Sequence, residues 1–243
     1  MKYLLLFLVF LSTSATAQEG VLPSVLGLDL SGDSTGSEAT AVVKVFILLT
    51  VLSLAPSILI VMTPFTRILI VFSMLRHALG MPQSPPNTVL ISLALFLTLF
   101  IIRPVLIESY DEGYVPLADG TITLEEGIQR MGQPFKRFML HHTRADDLDL
   151  MADLSGIELN EPEEVPLSVL VPAFMISELI LAFKIGFMIF LPFLLIDIVV
   201  ASLLMSMGML MVPPMMMSLP IKILLFVLID GWNLIVKALM GTF

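Results

Sequence analysis

The chain has 243 residues, of which 57% are hydrophobic and only 14% charged, and its formal net charge is -9. A soluble domain carries roughly 25% charged residues, so this composition marks a membrane protein. It contains no cysteine, which excludes disulfides, thiolate metal sites and a cysteine nucleophile.

In chain order, Lys2 precedes an apolar run from Leu4 to Leu11, followed by the small residues Ala15, Thr16 and Ala17. The run is too short to cross about 30 Å of hydrocarbon, so residues 1–17 read as a secretory signal peptide cleaved after Ala17. Residues 18–40 hold Glu19, Asp29, Asp33 and Glu38 without a Lys or Arg. They read as an exported, acidic, flexible tail. Residues 41–107 read as a first hydrophobic helical hairpin. Its spans are Ala41 to Met62 and Val89 to Ile107, with Arg103-Pro104 interrupting the second near its end. Arg67, Arg76 and His77 lie between the spans and predict a basic loop on the cytoplasmic side.

Residues 108–164 hold fourteen Asp and Glu against four Lys and Arg, which places the segment outside. Thr123 and Glu126 have capping-box spacing, and "TITLEEGIQRM", "PFKRFMLHHTR" and "RADDLDLMADL" each suit a short helix ended by Gly or Pro. Without disulfides, so small a segment is not expected to be an independent domain. Residues 165–243 read as C-terminal hydrophobic hairpins with a Met-rich segment. The apolar run from Leu167 to Val212 would be about 69 Å long as one helix, so Pro192 is expected to break it into a hairpin or a sharp kink. Asp230-Gly231 predicts a turn before a final piece too short to span.

Arg103, Glu178, Lys184, Asp197 and Lys222 fall inside apolar stretches, where an ionisable group needs a partner or water. Glu178 and Lys184 are 240° apart around a helix and do not share a face. Asp197 and Lys222 are expected in buried pairs, with each other or with neighbouring subunits; an ion relay and snorkelling are the alternatives. No HExxH, GxSxG or GxxxxGK[ST] pattern is present, and none of the remaining features makes a catalytic constellation. His141-His142 carries no metal-site signature, and Asp146, Asp147, Asp149 and Asp153 lack the central Gly and final Glu of an EF-hand. An acidic chain without a basic stripe gives no nucleic-acid footprint. The expectation is a non-enzyme without cofactor or metal.

The stretch "LMSMGMLMVPPMMMSLP" concentrates Met205, Met207, Met209, Met211, Met215, Met216 and Met217. The first four recur at every second residue, a period that aligns side chains only in extended backbone. Gly208 and Pro213-Pro214 also disfavour helix. Irregular backbone at membrane depth is tolerated when buried in protein or lining a cavity, and methionine closes around irregular shapes. The stretch is therefore a candidate pore constriction, with gap-filling in a helix bundle as the alternative.

The segments "TPFTRILIVFSMLRHALGMPQSPPNTVLISLALFLTLFI" and "PAFMISELILAFKIGFMIFLPFLLIDIVVASLLMSMGMLMVPPMMMSLPIKILLFVLIDGW" closely resemble the FliP family of flagellar type III export-gate proteins. The resemblance implies an all-α membrane protein whose helical hairpins assemble into an oligomeric gate in the bacterial inner membrane, at the flagellar basal body. It also implies a ring of five copies built with FliR and FliQ, working with FlhA and FlhB and passing unfolded flagellar substrates. It puts Met209, Leu210 and Met211 at the constriction, and the exported segment on the periplasmic side. The competing readings are a secondary transporter or ion channel using Glu178, Lys184 and Asp197, and a scaffold whose methionines only pack.

Overall fold

The computed structural model of the chain describes residues 45–46, 49–50, 53–54, 57, 60–157, 165–209 and 211–243. The expected signal peptide with Ala17, the acidic tail, much of the first span and Leu210 lie outside the described residues. The chain divides into two compact units, Met1–Pro56 and Ser57–Phe243. In the first, Thr50 Oγ1 donates to Phe46 O at 2.8 Å and Ser53 Oγ to Leu49 O at 2.7 Å, the hydroxyl bonds to the preceding turn that a helix offers.

The second unit contains α1 (Phe65–Ala78), α2 (Asn87–Ser109), a π turn (Tyr110–Tyr114), α3 (Val115–Ala118), α4 (Leu124–His142) and α5 (Ala145–Ser155). It continues with α6 (Leu167–Ser206), α7 (Pro214–Leu228) and α8 (Gly231–Met240). There is no strand among the described residues, and the protein is an all-α membrane protein. The 32-residue run Asn87–Ala118 and the 40-residue α6 are long and apolar enough to cross a membrane. The pair α7 and α8 qualifies only as one span bent by 64°.

The core is organised on α1. Ile68, Val71, Phe72 and Leu75 repeat at three- and four-residue spacing, form one stripe, and are all fully buried. They pack with Leu90 and Ala94 of α2 and with Ala182 and Phe193 of α6. Each such large side chain contributes about 1.5–3 kcal/mol when removed from water. A second cluster joins Ile102 and Val105 of α2, Phe138 and Met139 of α4, and Leu170 and Phe174 of α6.

Four expectations change here. The stretch read as a basic loop holds α1, the most buried helix, because its apolar stripe outweighs the cost of Arg67 and Arg76. The hairpin expected at Pro192 does not form, and α6 continues as one helix through Pro172 and Pro192. A proline removes one backbone hydrogen bond at about 3 kcal/mol, while Phe193 beside it is buried against Phe226, with ring centroids 6.4 Å apart. Arg103-Pro104 likewise does not interrupt α2. Finally, the first two short helices of the acidic segment are one helix, α4, which continues through Gly132 and Pro134 because Pro134, Phe138 and Met139 pack inward.

The capping box does form. Glu126 N donates to Thr123 Oγ1, and Thr123 N donates to Glu126 Oε2, both at 3.3 Å, satisfying two donors at the start of α4.

Candidate functional site

The methionine-rich turn joins α6 to α7. Gly208, with φ of 75°, ends α6 in the left-handed region, where a Cβ would be strained. Gly208 N donates to Met205 O and Met209 N to Leu204 O, both at 3.0 Å, the paired bonds of a Schellman C-cap. This geometry corrects the expected extended run. Met205 lies in the last turn of α6, Met207 is its C-cap, and Met215 to Met217 belong to the first turns of α7. Among the described residues, the chain is outside helix at Met207 to Met209 and Met211 to Pro213, while Met205 is helical, so the period-two alignment is lost. All seven methionines are exposed in the single chain, Met211 at 96%.

Beneath the turn, the hairpin is pinned by charge. Lys222 Nζ of α7 donates to Asp197 Oδ2 of α6 at 2.6 Å and to Ala78 O at the end of α1 at 3.1 Å. Ser218 Oγ donates to the other Asp197 oxygen at 2.5 Å. Lys222 and Ser218 are buried. The structure thus brings Asp197 and Lys222 together, and their two helices fix where the methionines emerge.

Glu178 finds a partner that the sequence reading did not assign. Arg67 Nε donates to Glu178 Oε2 at 2.9 Å, and Arg67 Nη2 donates to Glu178 Oε1. This is a side-on bidentate pair with both residues buried. The other face of the guanidinium is also used. Arg67 Nη1 donates to Thr242 Oγ1 at 3.0 Å, and the Phe243 ring centroid lies 3.9 Å from the guanidinium carbon. His142 packs its ring between Phe138 and Phe243, at 4.4 and 5.4 Å between centroids. Burial lowers its pKa below the ordinary imidazole value, and the Arg67 charge acts in the same direction. A signal for Arg67 was available in the sequence: it stands one turn before Val71, on the buried stripe of α1.

The acidic segment is tied to α6 in the same way. Ser177 Oγ donates to Asp147 Oδ2 at 2.6 Å and accepts from Arg144 N at 3.0 Å, so α5 is docked on α6. Arg103 and Lys184 are exposed, and the structure brings neither to another of the predicted charges. No cluster of three or more His, Cys, Asp or Glu suited to a metal exists among the described residues.

These features define an all-α membrane protein that pairs Glu178 with Arg67 and Asp197 with Lys222 inside its own helix bundle and presents an apolar hairpin turn outward. Residues 48–239 match the model of the FliP family, and the chain belongs to that family. It is 49% identical over 237 residues to the flagellar biosynthetic protein FliP of Pectobacterium carotovorum subsp. carotovorum, covering 97% of this chain and 90% of that relative. It is 52% identical over 217 residues to the flagellar biosynthetic protein FliP of Bacillus subtilis (strain 168), covering 89% of this chain and 98% of that relative. With the protein of the same name from Caulobacter vibrioides it shares 53% identity over 211 residues, covering 86% and 79% respectively.

Proposed function

We propose that the chain is a pore-forming subunit of the flagellar export gate and passes unfolded flagellar proteins across the inner membrane. Family membership supports the coarser part, a component of the flagellar export apparatus in a membrane. The finer part rests on one observation: a short non-helical turn presents a cluster of exposed methionines on a hairpin held by the Asp197, Ser218 and Lys222 bonds.

Several copies arranged around an axis, five in the family pattern and joined by FliQ and FliR, would bring these turns into one apolar ring at Met209, Leu210 and Met211. Met205, Met207 and Met215 to Met217 would line its approaches. Such a ring excludes water and ions at rest, because an ion entering it loses hydration without compensation. It deforms around a passing chain because the thioether side chain has three rotatable bonds. The protein moves no bond and binds no cofactor in this role; driving energy reaches the pore through other components, FlhA and FlhB among them. Residues 1–17 serve as the export signal, and the acidic segment lies on the periplasmic side.

The transporter reading has less support. Glu178 and Asp197 are nineteen residues apart on α6, about 28 Å along its axis, and each is already occupied by a cation of the same chain. The test is replacement of Met209 and Met211 by Gly in a flagellated bacterium that depends on this chain. The proposal expects leakage of ions or small solutes into cells with assembled basal bodies; unchanged permeability with assembled gates overturns it.

A further inference from the structure

Arg76, nine residues after Arg67 on α1, is also buried, at 9% exposure. Its Nη1 donates to Asn87 Oδ1 at 2.6 Å and to Pro85 O at 3.1 Å, which ties the end of α1 to the start of α2. The opposite edge of the guanidinium is unused. Nε is fully buried without a hydrogen-bond partner, and Nη2 has no partner among the described residues. A buried unpaired donor costs about 1–3 kcal/mol, more when it is charged, so this state calls for an acceptor. The edge lines a cavity of about 280 Å³ together with Leu69, Ser73, Asn87, Leu90 and Ile91.

Arg67 shows what such an edge takes. Its Nε and Nη2 hold the two oxygens of Glu178, and the same fork on Arg76 is empty. We propose that the Arg76 fork is a docking site for a carboxylate side chain of a different protein chain, an Asp or Glu flanked by apolar residues. Bidentate geometry selects a carboxylate over a single-atom acceptor. The apolar remainder of the lining, Leu69, Leu90 and Ile91, selects an apolar surround.

The carboxylates of this chain's long apolar helix do not supply the acid, because they are occupied: Glu178 by Arg67, and Asp197 by Lys222 and Ser218. Asp230 is exposed at the bend between α7 and α8, where its carboxylate accepts from Asn233, and its capture would mark a second copy. The assignment stands whether or not the methionine turn closes a pore.

The experiment places a photo-crosslinking amino acid at Leu69 or Ile91 of the full chain, in a flagellated bacterium that depends on it, and identifies the captured peptide by mass spectrometry. The expected product is a peptide of another protein with an Asp or Glu among apolar residues. Arg76→Lys keeps the charge and one bond to the 85–87 turn but loses the fork. It should lower recovery of that complex about tenfold or more, the scale of a charge-assisted bidentate bond, while the purified chain keeps its helical circular dichroism. Arg76→Glu combined with Arg at the captured acid should restore the complex. Capture of the 230 region of a second copy, capture of phospholipid alone, no capture, or an Arg76→Lys chain that retains its complexes like wild type overturns the assignment.

Discussion

Lys222 Nζ on α7 lies 2.6 Å from Asp197 Oδ2 on α6, and the same ammonium also holds the last carbonyl of α1, Ala78 O, at 3.1 Å. One buried cation therefore joins three helices at the base of the methionine turn. Removing its carboxylate strands the charge. Asp197→Ala should cost about 3–5 kcal/mol, the scale for an uncompensated buried ion, and Lys222→Met less, because Asp197 is partly exposed and keeps its Ser218 donor. The double variant Asp197→Leu with Lys222→Met should recover much of the loss. Thermal unfolding of the four proteins in one detergent checks the order.

The Arg67 and Glu178 pair is buried on both sides. Glu178→Ala is expected to cost about 3–5 kcal/mol for the same reason. Phe243→Leu removes the ring over the guanidinium and should cost about 1–2 kcal/mol, as expected of a desolvated cation–π contact. Equal stability of the Phe243→Leu and wild-type proteins in chaotrope titrations would show that the ring only covers the pair.

Gly186 of α6 lies against Met74 of α1. A Cβ at Gly186 would stand 2.2 Å from Met74 Sδ and 3.1 Å from Met74 Cβ. Gly186→Ala should therefore force the Met74 side chain out of its packing at about 1–3 kcal/mol. The companion change Met74→Ala makes room, so the double variant should be more stable than the sum of the two losses. A double-mutant cycle gives the coupling energy, and additive losses would show that the two positions do not meet.

His142 supplies a pH dependence. Its folded pKa lies below the ordinary 6.5, with burial as the largest cause. The native state favours the neutral ring, so the stability from this group is fully present above 6.5 and is lost as pH falls through the lowered folded value. The chain should lose stability on mild acidification below 6.5, and His142→Gln should flatten that part of the profile. Unfolding midpoints measured between neutral and mildly acidic pH decide it; parallel profiles would assign the acid sensitivity to other groups.

Much of the fold was legible where local rules act alone. Thr123 and Glu126 announce a helix start because a capping box is a four-residue device. Gly208 and the Pro213-Pro214 pair announce the end of α6 and the start of α7 because both act on their own backbone. The prolines inside α2, α4 and α6 misled for the converse reason: the penalty is local, but the packing that overrides it comes from other helices. Arg67, Arg76 and His77 suggest a loop by their charge, whereas Ile68, Val71, Phe72 and Leu75 repeat in register between them as a buried stripe.

By itself, the sequence determined the class of the molecule, an all-α membrane protein. It also marked the position of the methionine turn and the resemblance that the family match bears out. Composition, periodicity and residue-specific backbone preferences are properties of neighbouring residues. Only the tertiary structure decided the partners of the buried charges. It joined Glu178 to Arg67 across 111 positions, set His142 against Phe243, and left one fork of Arg76 empty. An ionisable residue in an apolar helix shows that a partner is needed, since its isolated burial costs so much. Which residue meets that need depends on distances that exist only once the helices have packed.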